Sequence, residues 1–177
     1  MILLKAYSKN NLGDDLFIKI ITQRYNHEKF VLINGKNNIT FKKIKNLEIK
    51  KSIFDKILEK LIYKYSRLEL KVSKTASLIV LIGGSMFIQY DNIENVKKRN
   101  KFYYLVNKPY YILGTNFGPY KDEEYFLEYK KIFSEAKDIC FREKYSYDLF
   151  ENRLENVRYA SDIVFSLKTH QNKNDNN

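Results

Sequence analysis

Short apolar runs alternate with longer stretches whose apolar positions recur at helical spacing, from the first residues of the chain to near its end. Residues 2–7, 30–33, 77–82, 110–113, 139–141 and 157–159 read as strands, being compact, apolar and rich in β-branched or aromatic side chains. Between them, residues 14–24, 53–70, 94–106, 122–136 and 146–152 carry the 3.6-residue period of amphipathic helices. The run Leu78-Ile79-Val80-Leu81-Ile82 is apolar at every position, the pattern of a strand covered on both faces, and it empties into Gly83-Gly84. Alternating strands and helices predict an α/β chain, a Rossmann-like parallel sheet with helices on both faces. Residues 169–177 are polar without periodicity and are expected to be a disordered tail, leaving residues 1–168 as one domain.

In such a sheet ligands bind beyond the carboxyl ends of the strands, so the segments that follow the strands matter most. Five stand out: 8–15, Gly83-Gly84-Ser85, 115–120, 142–146 and Ser161-Asp162. In the first, Asn11 precedes Gly13, which lets backbone approach a ligand at a helix N-terminus; Asp14 also reads as a plain N-cap, the more ordinary use. One glycine here is too few for a dinucleotide fingerprint. Gly83-Gly84 calls for positive φ or a close approach by another group, and two glycines in succession favour a ligand. Gly114 and the Gly118-Pro119 pair fit either a tight corner or a site. Arg142 offers a fork suited to a carboxylate or phosphate, or a salt bridge to a neighbour. Ser146 reads as an N-cap, and Asp162 as a cap, a partner for Arg142, or an acceptor from a sugar hydroxyl.

Composition narrows the classes. The 177-residue chain holds one cysteine, Cys140, which excludes an internal disulfide and reads as a small buried strand residue. His27 and His170 lie outside the strand-end segments and read as surface residues. The initial apolar run is too short for a signal peptide, and no segment reaches the roughly 20 apolar residues of a membrane span, so a cytoplasmic location is expected. The formal charge of +11 asks for an anionic partner or a compositional origin. In the basic helix at 53–70, Ile57, Leu61, Tyr65 and Leu68 share a stripe while Lys56, Lys60 and Lys64 lie elsewhere. That helix can lie peripherally on the anionic inner face of the cell membrane or, more ordinarily, bury its stripe on the sheet. No nucleic-acid-binding motif accompanies the charge, and no nucleic-acid partner is expected.

The ordered set Asn11-Leu12-Gly13-Asp14, Ile82-Gly83-Gly84, Gly114 with Gly118-Pro119, Phe141-Arg142-Glu143 with Ser146, and the run from Ser161-Asp162 to Leu167 resembles the amino-terminal half of the polysaccharide pyruvyl transferase family. Ser85 and Ile163 stand where that family usually has glycine and proline. The resemblance implies one half of a GT-B-like, two-domain transferase acting in the biosynthesis of bacterial exopolysaccharide and other cell-surface glycans. It implies transfer of a pyruvyl group from phosphoenolpyruvate to a glycan acceptor, with no cofactor and no metal. It assigns substrate binding to Asn11, Gly13, Asp14, Gly83, Gly84, Gly114, Gly118, Arg142, Ser146 and Asp162. A second half or a homo-oligomer would complete the cleft. Two other classes stay open: a non-catalytic glycan- or partner-binding domain, and half of a nucleotide-sugar glycosyltransferase.

Overall fold

The computed structural model describes residues 1–7, 11–33, 39–51 and 66–166. Its strands are β1 (Ile2–Ala6), β2 (Phe30–Ile33), β3 (Leu47–Lys50), β4 (Leu78–Ile82), β5 (Tyr110–Thr115), β6 (Asp138–Phe141) and β7 (Val157–Tyr159). They form one sheet in the order β3-β2-β1-β4-β5-β6-β7, with every neighbouring pair parallel. The helices are α1 (Leu12–Arg24), α2 (Ile39–Lys42), α3 (Arg67–Ser73), α4 (Ile93–Leu105), α5 (Glu123–Ser134) and α6 (Lys144–Phe150), followed by a 3-10 turn at Ile163–Ser166. This is the Rossmann-like α/β architecture that the strand and helix periodicities predict.

Strand alternation sorts the core into two layers. Ile2, Leu4, Phe30, Leu32, Val80 and Ile82 point to one face, where Phe17, Ile18 and Ile21 of α1 cover them. Leu3, Ile79, Leu81, Ile112 and Ile139 point to the other, beneath Val96 and Phe102 of α4 and the aromatic side of α5. The covering helices change face between β1 and β4, neighbours in space but not in sequence. That is the switch point of a doubly wound sheet, where the loops leaving two adjacent strands diverge and a crevice opens.

Several boundaries differ from the sequence reading for local reasons. Asp14 is not the cap of α1: Asn11 is, its Oδ1 accepting the Gly13 N–H at 3.0 Å, which moves Gly13 and Asp14 into the first turn. Ser146 is likewise inside α6, whose cap position is Glu143. Strand β5 runs on through Gly114-Thr115, because Gly114 at φ +67 absorbs an irregularity in the pairing with β6 rather than ending the strand. The edge strand β3 lies where the sequence reading has no strand: Leu47 and Ile49 pack on one core layer and alternate with Glu48 and Lys50, a pattern only four residues long. Of the basic helix expected over 53–70, only the end lies within the described residues, as the start of α3; the expected tail lies outside them. Among the described residues no helix is long and apolar enough to cross a membrane.

Candidate functional site

A cleft of about 730 Å³ opens at the switch point, beyond the carboxyl ends of β1 and β4. Its lining draws Asn11, Gly13 and Asp14 from the first turn of α1, Gly84 from the loop after β4, Arg142 from the end of β6 and Asp162 from the segment after β7. Residues from four separate strand ends therefore meet in one place. The other proposed site residues do not line it. Gly83 sits behind Asp14, Gly114 lies at the β5 irregularity, and Gly118, at φ +89, precedes Pro119 in a cis peptide. Ser146 is completely buried, its hydroxyl 2.7 Å from both the Phe117 N–H, from which it accepts, and Glu143 Oε1. Its place is structural: it ties the loop after β5 to α6.

The two consecutive glycines have separate reasons. Gly83 adopts φ +153, and a Cβ there would lie 3.1 Å from Asp14 Oδ1. Gly84 has no such backbone demand, yet a Cβ would lie 2.5 Å from Arg142 Nη2 and 2.7 Å from Cζ. The close approach inferred from the sequence is thus made by the Arg142 guanidinium. The Gly84 carbonyl accepts from Thr115 Oγ1 at 2.8 Å, Asn116 N–H at 3.0 Å and Met86 N–H at 3.1 Å, fixing the turn against β5.

Arg142 Nη1 donates to Asp162 Oδ2 at 3.0 Å, while Asp162 Oδ1 caps the 3-10 turn through the Val164 N–H at 3.0 Å. Two of the uses open to Asp162 from sequence, the Arg142 partner and the cap, are thus combined in one carboxylate. A guanidinium carries five N–H donors, so this single bond leaves Arg142 with capacity to grip an oxyanion. Asp14 is only 7% exposed, and burial pushes its pKa up; the Gly84 N–H and the Arg142 charge act in the opposite direction, and Asp15 adds to the rise.

Sequence reasoning missed a second ion pair in the cleft. Lys5 on β1 reaches Glu69 on α3 with Nζ 2.5 Å from Oε2, and its ammonium stands 3.7 Å from the centre of the Phe102 ring. The available signal was a lysine facing inward from an otherwise apolar central strand. The acidic and basic side chains of the lining are then Lys5 and Arg142 against Asp14, Glu69 and Asp162, two cations to three carboxyl groups. Among the described residues, no group of three or more His, Cys, Asp or Glu side chains could hold a metal ion.

The family model for polysaccharide pyruvyl transferase matches residues 11–177. The chain belongs to the polysaccharide pyruvyl transferase family. The match begins at Asn11, the cap that sets the first turn of α1 against the cleft, and takes in every strand-end segment that follows. Membership supports a transferase. A comparison with curated proteins returns no match.

Proposed function

We propose that this chain takes part in transferring a pyruvyl group from phosphoenolpyruvate to a sugar of a cell-surface polysaccharide, with the switch-point cleft as its substrate site. The observation that carries the reading is the placement of Arg142 and Asp14 in one cleft, both against the Gly83-Gly84 turn. In ketal formation two sugar hydroxyls replace the enol phosphate at the central carbon of the donor. One hydroxyl proton is balanced by the proton that turns the methylene into a methyl group, and the other leaves with phosphate. Such a reaction needs a cation to hold the donor's anionic groups and a base for the acceptor. Arg142 supplies the first through its remaining N–H donors. Asp14 supplies the second: its raised pKa makes the carboxylate a stronger base than a solvated one.

The rim of the cleft supports a second wall contributed by another domain, another chain or a second copy. Tyr90, which lines the cleft, is 84% exposed, and Leu12 and Phe165, each next in sequence to a lining residue, are exposed as well. Large apolar side chains gathered at a cleft mouth mark a surface that meets a partner. A closed cleft excludes water and strengthens every charge interaction inside it.

Calorimetric titration of the chain with phosphoenolpyruvate, and separately with a nucleotide sugar, tests the reading. Saturable heat with phosphoenolpyruvate is expected, weakened about tenfold or more by Arg142→Ala, since a charged hydrogen bond contributes about 1.5–3 kcal/mol. Binding of the nucleotide sugar alone would move the chain to the glycosyltransferase reading. Absence of heat with both would favour a domain that binds a glycan or protein partner without the chemistry.

A further inference from the structure

A second cavity, of about 660 Å³, lies at the opposite edge of the sheet, between the end of α3 and the end of α4. Lys71, Lys74, Lys108 and Arg67 line it over Leu70 and Leu105, and no lining residue is a carboxylate. Among the described residues, Lys71, Lys74 and Lys108 form no ion pair, a state they share with most lysines, such as Lys98, Lys121 and Lys137; what sets them apart is their gathering in one groove whose lining holds no carboxylate. In the lining of this cavity Leu105 is 58% exposed.

We propose that this groove is a docking surface for an anionic phospholipid bilayer. Three features select that partner. The lysines carry charge with no internal acid to neutralise it, which suits an extended anionic surface. Leu105 offers an exposed aliphatic side chain able to enter a membrane interface, with lysine stems able to lie along the same surface. At the ends of α3 and α4 the free backbone groups are carbonyls, so no backbone donors cradle a small free phosphate and attraction falls to the lysine side chains. The helix dipoles alone would explain lysines in the last turns, yet not Lys108 beyond α4 or the exposed Leu105. Nucleic acid fits less well, because the groove floor is aliphatic and gives bases nothing to stack on. The groove belongs to the amino-terminal edge of the sheet and the switch-point cleft to the carboxyl edge. Docking therefore leaves the cleft facing away from the bilayer. The proposal stands whether or not the cleft transfers pyruvyl groups.

Co-sedimentation of the full chain with vesicles tests it. Binding is expected to vesicles of phosphatidylcholine containing about one-third phosphatidylglycerol, not to phosphatidylcholine alone, and to be lost at about 0.5 M salt, where screening confines charge interactions to a few ångströms. Each basic residue near such a surface changes partitioning roughly fivefold, so Lys74→Gln with Lys108→Gln should lower it about 25-fold. The same charge change at the other edge, Lys121→Gln with Lys144→Gln, should alter it by no more than about twofold, because those side chains lie beyond a Debye length of the bilayer. Leu105→Ser, which leaves the net charge untouched, should also weaken binding, and thermal melts should show all three variants folded. Equal loss in the two lysine pairs, no effect of Leu105→Ser, or no binding to anionic vesicles would overturn the proposal. So would a single-stranded oligonucleotide that binds more tightly than the vesicles and loses affinity in the same groove variants.

Discussion

Asp14 is held in a nearly dry position by the same turn that gives it a hydrogen bond, and that combination has a measurable signature. Burial raises its pKa in the folded chain above the unfolded value, so the folded state binds this proton more tightly. The resulting stability penalty is absent below the unfolded pKa of about 3.9 and complete once pH exceeds the raised folded value. Asp14→Asn should therefore melt higher than the parent at pH 7, with the difference closing as the melts approach about pH 3.5. If Asp14 takes the acceptor proton, the same variant should lose about 10²–10⁴-fold in turnover. A more stable but inactive protein would identify a residue retained for chemistry at the expense of stability. A destabilised variant at pH 7 would instead make Asp14 a structural hydrogen-bond acceptor. At this scale the sequence was half legible. Asn11, Gly13 and Asp14 could be located together, but which of them caps the helix depends on where its first turn begins. That another group approaches Gly84 closely could be read, but not that it is Arg142, which lies 58 positions further along the chain.

The elements were more legible than their ends. Apolar period identified β1, β2, β4, β5, β6 and β7 and the helices α1, α4, α5 and α6, since burial of one face is a demand that composition must meet, and it missed the short α2. It failed at β3, whose alternation of Leu47 and Ile49 with Glu48 and Lys50 is only four residues long, and at the start of α6, where Ser146 looks like a cap but serves the neighbouring loop. That loop is anchored by Phe117, whose ring lies 5.1 Å from Phe150 and 5.7 Å from Tyr125, edge-on to the first. Its backbone bridges to Phe87 in the parallel sense, extending the β4–β5 pairing past the glycine turn. Phe117→Ala should lower stability by about 3–5 kcal/mol in denaturant titration, the usual result of emptying a buried aromatic site. Substrate binding should weaken at the same time, since the Gly84 turn leans on Thr115 and Asn116 immediately before Phe117. A loss below about 1 kcal/mol would show that the aromatic layer closes over the gap.

For the whole molecule, alternation of strand and helix was enough to anticipate a doubly wound parallel sheet, and the parallel sheet was enough to anticipate a site at one edge. Pairs such as Lys5 with Glu69 were not legible, because only the crossover from β3 to β4 brings them together. Charge behaves the same way: the chain carries +11 overall, while the cleft sets three carboxyl groups against two cations. Phosphoenolpyruvate should therefore be drawn in by the surrounding field more than by the cleft itself. Its association rate, followed by stopped flow, should fall at least about threefold as salt rises from about 0.05 to 0.3 M, with dissociation little changed. A flat association rate would assign recognition to local contacts alone. The distribution of sulfur has a practical outcome of another kind. The sole cysteine, Cys140, is buried on β6 with its thiol pKa pushed up by that burial, which leaves it a poor nucleophile. A thiol-directed dye added to a Tyr90→Cys variant would then mark the mouth of the cleft and nothing else, turning an otherwise silent protein into its own occupancy reporter.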